Sequence, residues 1–185
     1  DVLYGDVNPA AKLPMTFIRN WSDHPAYTNY PGAVYSEGLF VGYRHFDEPG
    51  SAAPLFPFGH GLSYTTFAYS NLVVDTAALA DDGTVTVSVD VTNSGAREGA
   101  EVVQVYVRDV AASVVRPYKE LKGFAKVTLA TGETQTVSIE LGPQSFAFYD
   151  VNEARWRIEA GAFEILVGAS ASDIRASATI QHPGE

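Results

Sequence analysis

Pro54-Leu55-Phe56-Pro57-Phe58-Gly59-His60-Gly61-Leu62-Ser63-Tyr64-Thr65-Thr66-Phe67 is the stretch at which the chain changes character. Two prolines and two glycines fall within its first eight residues. They impose a bent, irregular backbone, because proline locks φ and glycine opens positive φ. Four aromatics and two leucines then give the bent segment apolar side chains to bury. A loop with that much apolar surface is held against a partner, since leaving it in water costs roughly 25 cal/mol per Å². The stretch reads as a staple joining two bodies. Upstream the chain is rich in Pro, Gly and aromatics without a long periodic segment; downstream it reads as strands separated by polar turns.

From Ser63 onward the period is two. Val85, Val87, Val89 and Val91 alternate with Thr84, Thr86, Ser88 and Asp90, the pattern of a strand with one buried face. Asn93-Ser94-Gly95 supplies a turn. Glu101–Val107 sets Val103, Val105 and Val107 on one face and Gln104 and Tyr106 on the other. Further strands are read over 121–129, over 134–141, over 146–149 after the Gly142-Pro143 turn, and over 174–180. Trp156 and Ile158 are read as pairing with Phe163, Ile165 and Val167 across a hairpin at 159–162, with Trp156 in the core. Seven or eight short strands without a helical period between them imply a mainly β fold, a sandwich of immunoglobulin or fibronectin type III kind. The closing His182-Pro183-Gly184-Glu185 reads as a frayed end.

Residues 1–17 are interrupted at Asn8-Pro9 and Leu13-Pro14, so a helix fits only at the very beginning, and Met15-Thr16-Phe17 suits a short strand. Seventeen residues close no core of their own and must dock on something else. Residues 18–62 form a long irregular connector, far above the usual 12–15-residue limit for loops that are neither functional nor packed on a partner.

Composition narrows the function. Hydrophobic residues make up 46% and charged residues 18%, which places the chain among globular proteins. A net charge of −10 argues against a nucleic-acid partner, whose phosphates would repel it, and disfavours an anionic membrane surface. No apolar run approaches the length of about 18 residues needed to span a bilayer. The absence of cysteine removes disulfides, a thiolate nucleophile and cysteine-based metal sites. The four histidines lack any spacing such as His-Glu-x-x-His, and no metal or other cofactor is expected. The opening at Asp1, without methionine, reads as an interior point of a longer polypeptide: a fragment or a processed subunit.

Four motifs, in order, resemble glycoside hydrolase family 3. Gly5-Asp6-Val7-Asn8-Pro9 leading to Leu13-Pro14-Met15-Thr16-Phe17 is similar to the close of that family's α/β-sandwich domain, with Ala10-Ala11 a mild departure. Tyr35-Ser36-Glu37-Gly38-Leu39-Phe40-Val41-Gly42-Tyr43-Arg44 resembles its connector signature. Pro57 to Phe67 resembles the segment that introduces its last domain. Val115-Arg116-Pro117 with Lys119-Glu120-Leu121-Lys122-Gly123-Phe124, then Trp156 and Gly161-Ala162-Phe163, resembles its fibronectin type III-like domain. The resemblance implies three parts: residues 1–17 as the end of an α/β-sandwich domain, 18–62 as connector, and 63–185 as the fibronectin type III-like domain. It implies a β-glucosidase-type enzyme that releases terminal β-linked glucose or related sugars with retention. Its partner would be an amino-terminal catalytic portion, a barrel plus the α/β-sandwich. The family's catalytic carboxylates lie on that portion, so no catalytic residue is expected here and the chain alone should be inactive.

Candidate sugar contacts remain. Glu37, among Tyr35, Gly38 and Tyr43, reads either as a hydroxyl ligand at the edge of an active site or as a carboxylate satisfied by Arg44 or backbone N–H groups. Trp21, Tyr27 and Tyr30 read either as rings lining a substrate cleft or as interdomain packing. His60, between two glycines, reads as holding a turn through backbone carbonyls, or as a ligand. A freestanding carbohydrate-binding or adhesion module is the alternative, and it accounts for the sandwich but not for the 62 residues before it.

Overall fold

The valine alternation is realised as paired sheets. The computed structural model describes every residue except Ala33, Asp82 and Glu185. Its strands run β1 (Phe67–Val74), β2 (Val85–Asn93), β3 (Gly99–Asp109), β4 (Glu120–Leu129), β5 (Thr134–Leu141), β6 (Phe148–Asp150), β7 (Arg155–Arg157), β8 (Gly161–Ser170) and β9 (Asp173–His182). One antiparallel sheet has the order β1-β2-β5, the other β4-β3-β8-β9, and β6 and β7 form a separate two-stranded ribbon. The chain crosses the core between β2 and β3 and again between β4 and β5. That is the sandwich of immunoglobulin or fibronectin type III kind.

The core lies between the two sheets. Val85, Val87, Val89 and Val91 are each at most 1% exposed, and they pack with Val103, Val105, Val107, Leu129, Leu141, Phe163, Ile165 and Val167. Each such side chain contributes about 1.5–3 kcal/mol by leaving water. Phe146, just before β6, closes the core with its ring edge-on to Phe163 at 5.5 Å.

Two expectations need correction. Trp156 does not pair with β8: its register partner is Tyr149 on β6, and it is 56% exposed. β8 instead lies between β3 and β9, where Phe163, Ile165 and Val167 find their burial. The carboxy-terminal end is not frayed at His182. That ring is 3% exposed and its two nitrogens meet the Glu159 carbonyl at 3.1 Å and Asp81 Oδ1 at 2.7 Å; Glu185 lies outside the described residues. At the very beginning residues 2–5 make turns.

The first 62 residues are not structureless. Short 3₁₀ turns occupy Trp21–Asp23 and Tyr27–Asn29, and a single helical turn spans Tyr43–Phe46. Residues 13–17 run beside 55–60: Leu13 N–H donates to His60 O, Gly59 N–H to Leu13 O, and Phe17 N–H to Phe56 O, each at 2.8 Å. Yet among the described residues up to 62 only Gly59 is fully buried, while Leu3, Tyr4 and Tyr35 stand at least 90% exposed.

Candidate functional site

The outer face of β3 explains what the connector is for. Gln104 and Tyr106 point away from the core, and both are buried because the connector lies over them. Gln104 Nε2 donates to Gly59 O at 3.2 Å and Ala169 O at 2.8 Å, and its Oε1 accepts from the Tyr106 hydroxyl at 2.7 Å. Gly59 has φ +77°, and a Cβ there would stand 2.2 Å from Gln104 Oε1, so the close approach requires glycine. The Tyr43 ring stacks on Phe58 at 4.9 Å and meets Tyr106 edge-on at 6.1 Å, and its hydroxyl accepts from Leu121 N–H at 2.8 Å.

Ion pairs close the same seam. Asp47 meets Lys119 at 2.5 Å, with both side chains under 10% exposed, and no partner of the second Asp47 oxygen is found among the described residues. Burial pushes the Asp47 carboxyl above its ordinary range, against the pull of Lys119. Arg44 reaches Glu120 at 3.0 Å, and Arg116 bridges Glu120 at 3.0 Å to Asp109 at 3.3 Å. Lys122 Nζ lies 3.5 Å from Glu120. Burial pushes Glu120 up, but Lys122, Arg116 and Arg44 together outweigh it and hold the carboxyl below its usual value. At the other end of the seam Lys12 pairs with Glu101 at 2.7 Å, and Asn8 Oδ1 accepts from Tyr64 N–H at 2.8 Å and Ser63 Oγ at 3.0 Å. Asp47, Glu101, Asp109 and Glu120 thus each pair with a cation of the seam.

The expected site residues lie at one end of the connector. Trp21 meets Tyr27 at 6.4 Å and Tyr30 at 6.3 Å, both edge-on, and stacks on His24 at 5.7 Å. All three expected rings are more than 40% exposed. Glu37 stands apart from this cluster, on a cavity of about 270 Å³ that it shares with His24, Pro25, Met15 and Tyr43. Arg44 does not satisfy it, being committed to Glu120 and the Leu39 carbonyl. His60 holds its turn through its backbone, while its ring stacks on Phe56 at 5.1 Å. Sequence reasoning missed Gln104, Tyr106 and Lys119 as docking residues. A Gln and a Tyr alternating with valines in β3 were the available signal.

The fold and this seam define a class: a fibronectin type III-like sandwich with an amino-terminal extension clamped across its outer sheet. Residues 1–64 match the glycosyl hydrolase family 3 C-terminal domain, and residues 101–171 match the fibronectin type III-like domain. The thermostable beta-glucosidase B of Acetivibrio thermocellus is 51% identical over 178 residues, covering 94% of this chain and 23% of that protein. The family 3 beta-glucosidase of Bifidobacterium adolescentis superposes with a TM-score of 0.92 at 41% identity, over 100% of this chain and 27% of that one. Beta-glucosidase 3B of Thermotoga neapolitana, solved with α-D-glucose, superposes with a TM-score of 0.89 at 41% identity, over 100% of this chain and 26% of its own. The chain belongs to glycosyl hydrolase family 3 and corresponds to its carboxy-terminal portion. It spans about a quarter of the length of these relatives, which carry it as part of a larger polypeptide.

Proposed function

We propose that this chain is the carboxy-terminal scaffold of a retaining β-glucosidase-type enzyme that releases terminal β-linked glucose or related sugars. Its partner is an amino-terminal portion, a barrel plus the body of an α/β-sandwich, bearing both catalytic carboxylates; retaining hydrolysis needs such a pair about 5–5.5 Å apart. The observation that carries this reading is the contrast within the seam. The connector is tied to the sandwich by buried ion pairs and hydrogen bonds, while Leu3, Tyr4, Tyr30, Tyr35 and Leu62 are more than 70% exposed. Apolar side chains left out in that number mark a contact surface for another body.

Within this proposal residues 1–17 complete the α/β-sandwich, 18–62 form the connector, and 63–185 form the fibronectin type III-like domain. Trp21, Tyr27 and Tyr30 sit at the rim of the substrate cleft of the whole enzyme, and Glu37, on its separate cavity, acts as a hydroxyl ligand at the edge of the active site. The test is reconstitution. The chain alone is expected to leave an aryl β-glucoside intact, and adding the amino-terminal portion is expected to produce hydrolysis. Turnover by the pure isolated chain contradicts the proposal.

A further inference from the structure

A second site lies on the sandwich, away from the Trp21 cluster. Between the β6–β7 ribbon and the start of β4 runs a cleft of about 750 Å³, within the range of small-ligand sites. One wall is the cross-strand pair Tyr149 and Trp156, whose rings meet edge-on at 5.7 Å and remain 49% and 56% exposed. Lys122, Gln144, Asp150 and Arg157 also line the cleft. Arg157 is 45% exposed, and its two carboxylate neighbours stand no nearer than 3.7 and 3.9 Å, so its guanidinium has donors to spare. Lys122 touches Glu120 only at 3.5 Å.

This combination has a chemical counterpart. A hexopyranose has an apolar C–H face and a rim of hydroxyls, each both donor and acceptor. An aromatic surface flanked by side chains that donate and accept hydrogen bonds complements both features. The Arg44–Glu120–Arg116 ion-pair network also lines the cleft, beside Val115, Pro117 and Val151, so its surface mixes apolar patches with fixed polar groups. The chain's charge of −10 makes a polyanion a poor occupant.

We infer that the Tyr149–Trp156 cleft is a non-catalytic binding site for a neutral glucose oligosaccharide, its sugar ring against Trp156 and its hydroxyls on Gln144, Asp150 and Arg157. The choice of β-linked glucose rests on the proposed β-glucosidase reading, but the site needs no catalysis, so the two fail separately.

The chain holds two tryptophans, Trp21 and Trp156, so 5-fluorotryptophan labelling of the 185-residue chain yields two ¹⁹F resonances, assigned with Trp21→Phe. Titration with cellotetraose is expected to move the Trp156 resonance saturably, with a dissociation constant on the order of 1 mM, and to leave Trp21 in place. Trp156→Ala and Arg157→Ala, read by calorimetry, are each expected to weaken binding about tenfold or more, whereas Trp156→Phe retains most of it. Both resonances unmoved at about ten times that concentration, or a shift of Trp21 alone, overturns the inference. So does a Trp156 resonance that responds only to the amino-terminal part of the enzyme and not to the sugar.

Discussion

At Gly59 a single hydrogen atom decides whether the connector reaches the sheet. Positive φ and the Gln104 contact act together there, so Gly59→Ala adds backbone strain and a clash. Urea unfolding should show a loss of about 2–3 kcal/mol, and Gln104→Ala in the same background should return part of it by vacating the space. The Asp47–Lys119 pair permits a second prediction. With both side chains nearly water-free, Lys119→Met leaves a buried carboxylate unpaired and should cost about 3–5 kcal/mol. Asp47→Leu combined with Lys119→Met should recover most of that loss, because a packed apolar pair replaces a costly ionic one. A double variant no more stable than the single one would show that the pair does more than neutralise itself.

Among elements, the junction between the helical turn Tyr43–Phe46 and the start of β4 is the most strongly coupled. Glu120 there receives Arg44 from the connector and Arg116 and Lys122 from its own segment. Its folded carboxyl titrates below the ordinary value. The stability it contributes is therefore present above the unfolded carboxylate range and lost as pH falls through the folded value. Asp47 and Asp109, both raised chiefly by burial, run the opposite way: their contribution is present in acid and lost as pH rises through their raised values. Glu120→Gln should accordingly be less stable than the parent near neutrality, with the difference shrinking toward pH ~3. Guanidinium midpoints at several pH values measure this directly, and a constant difference across the range would refute it.

The same elements show what a sequence discloses. The alternation of Val85, Val87, Val89 and Val91 reports burial because a strand's period is two and one face is dry. It could not report that β3 is dry on both faces, since Gln104 and Tyr106 look like solvent-facing residues until the connector is seen above them. Trp156 was misplaced for a related reason. A hairpin signal at 159–162 is local, whereas β8 pairs on one side with β3, more than fifty residues earlier, and on the other with β9. Of the expected site residues, Trp21, Tyr27 and Tyr30 do come together, their close spacing making contact hard to avoid. The surroundings of Glu37 depend on where Arg44 goes, and that is decided by Glu120, distant in sequence.

For the whole molecule, the exposed rings and leucines of the first third predict a chain that gains stability from its neighbour. Melting temperature should rise when the amino-terminal portion is added, since anything that binds only the folded form stabilises it by mass action. Trp21→Ala should reduce that gain while leaving the melting of the lone chain nearly unchanged, because Trp21 is mostly exposed there. Equal gains for both chains would mean that this cluster does not touch the partner.

Gly59, Tyr43 and Asp47 also set a rule for shuffling parts between relatives. The natural-looking cut, just before the first strand, would remove the ceiling from Gln104 and Tyr106 and strand Lys119 without its counter-charge. A chimaera joined at Ser63 should therefore express as an aggregation-prone product. One that transplants the segment from Gly42 onward should inherit an intact roof, which makes the recombination unit longer than the sandwich alone.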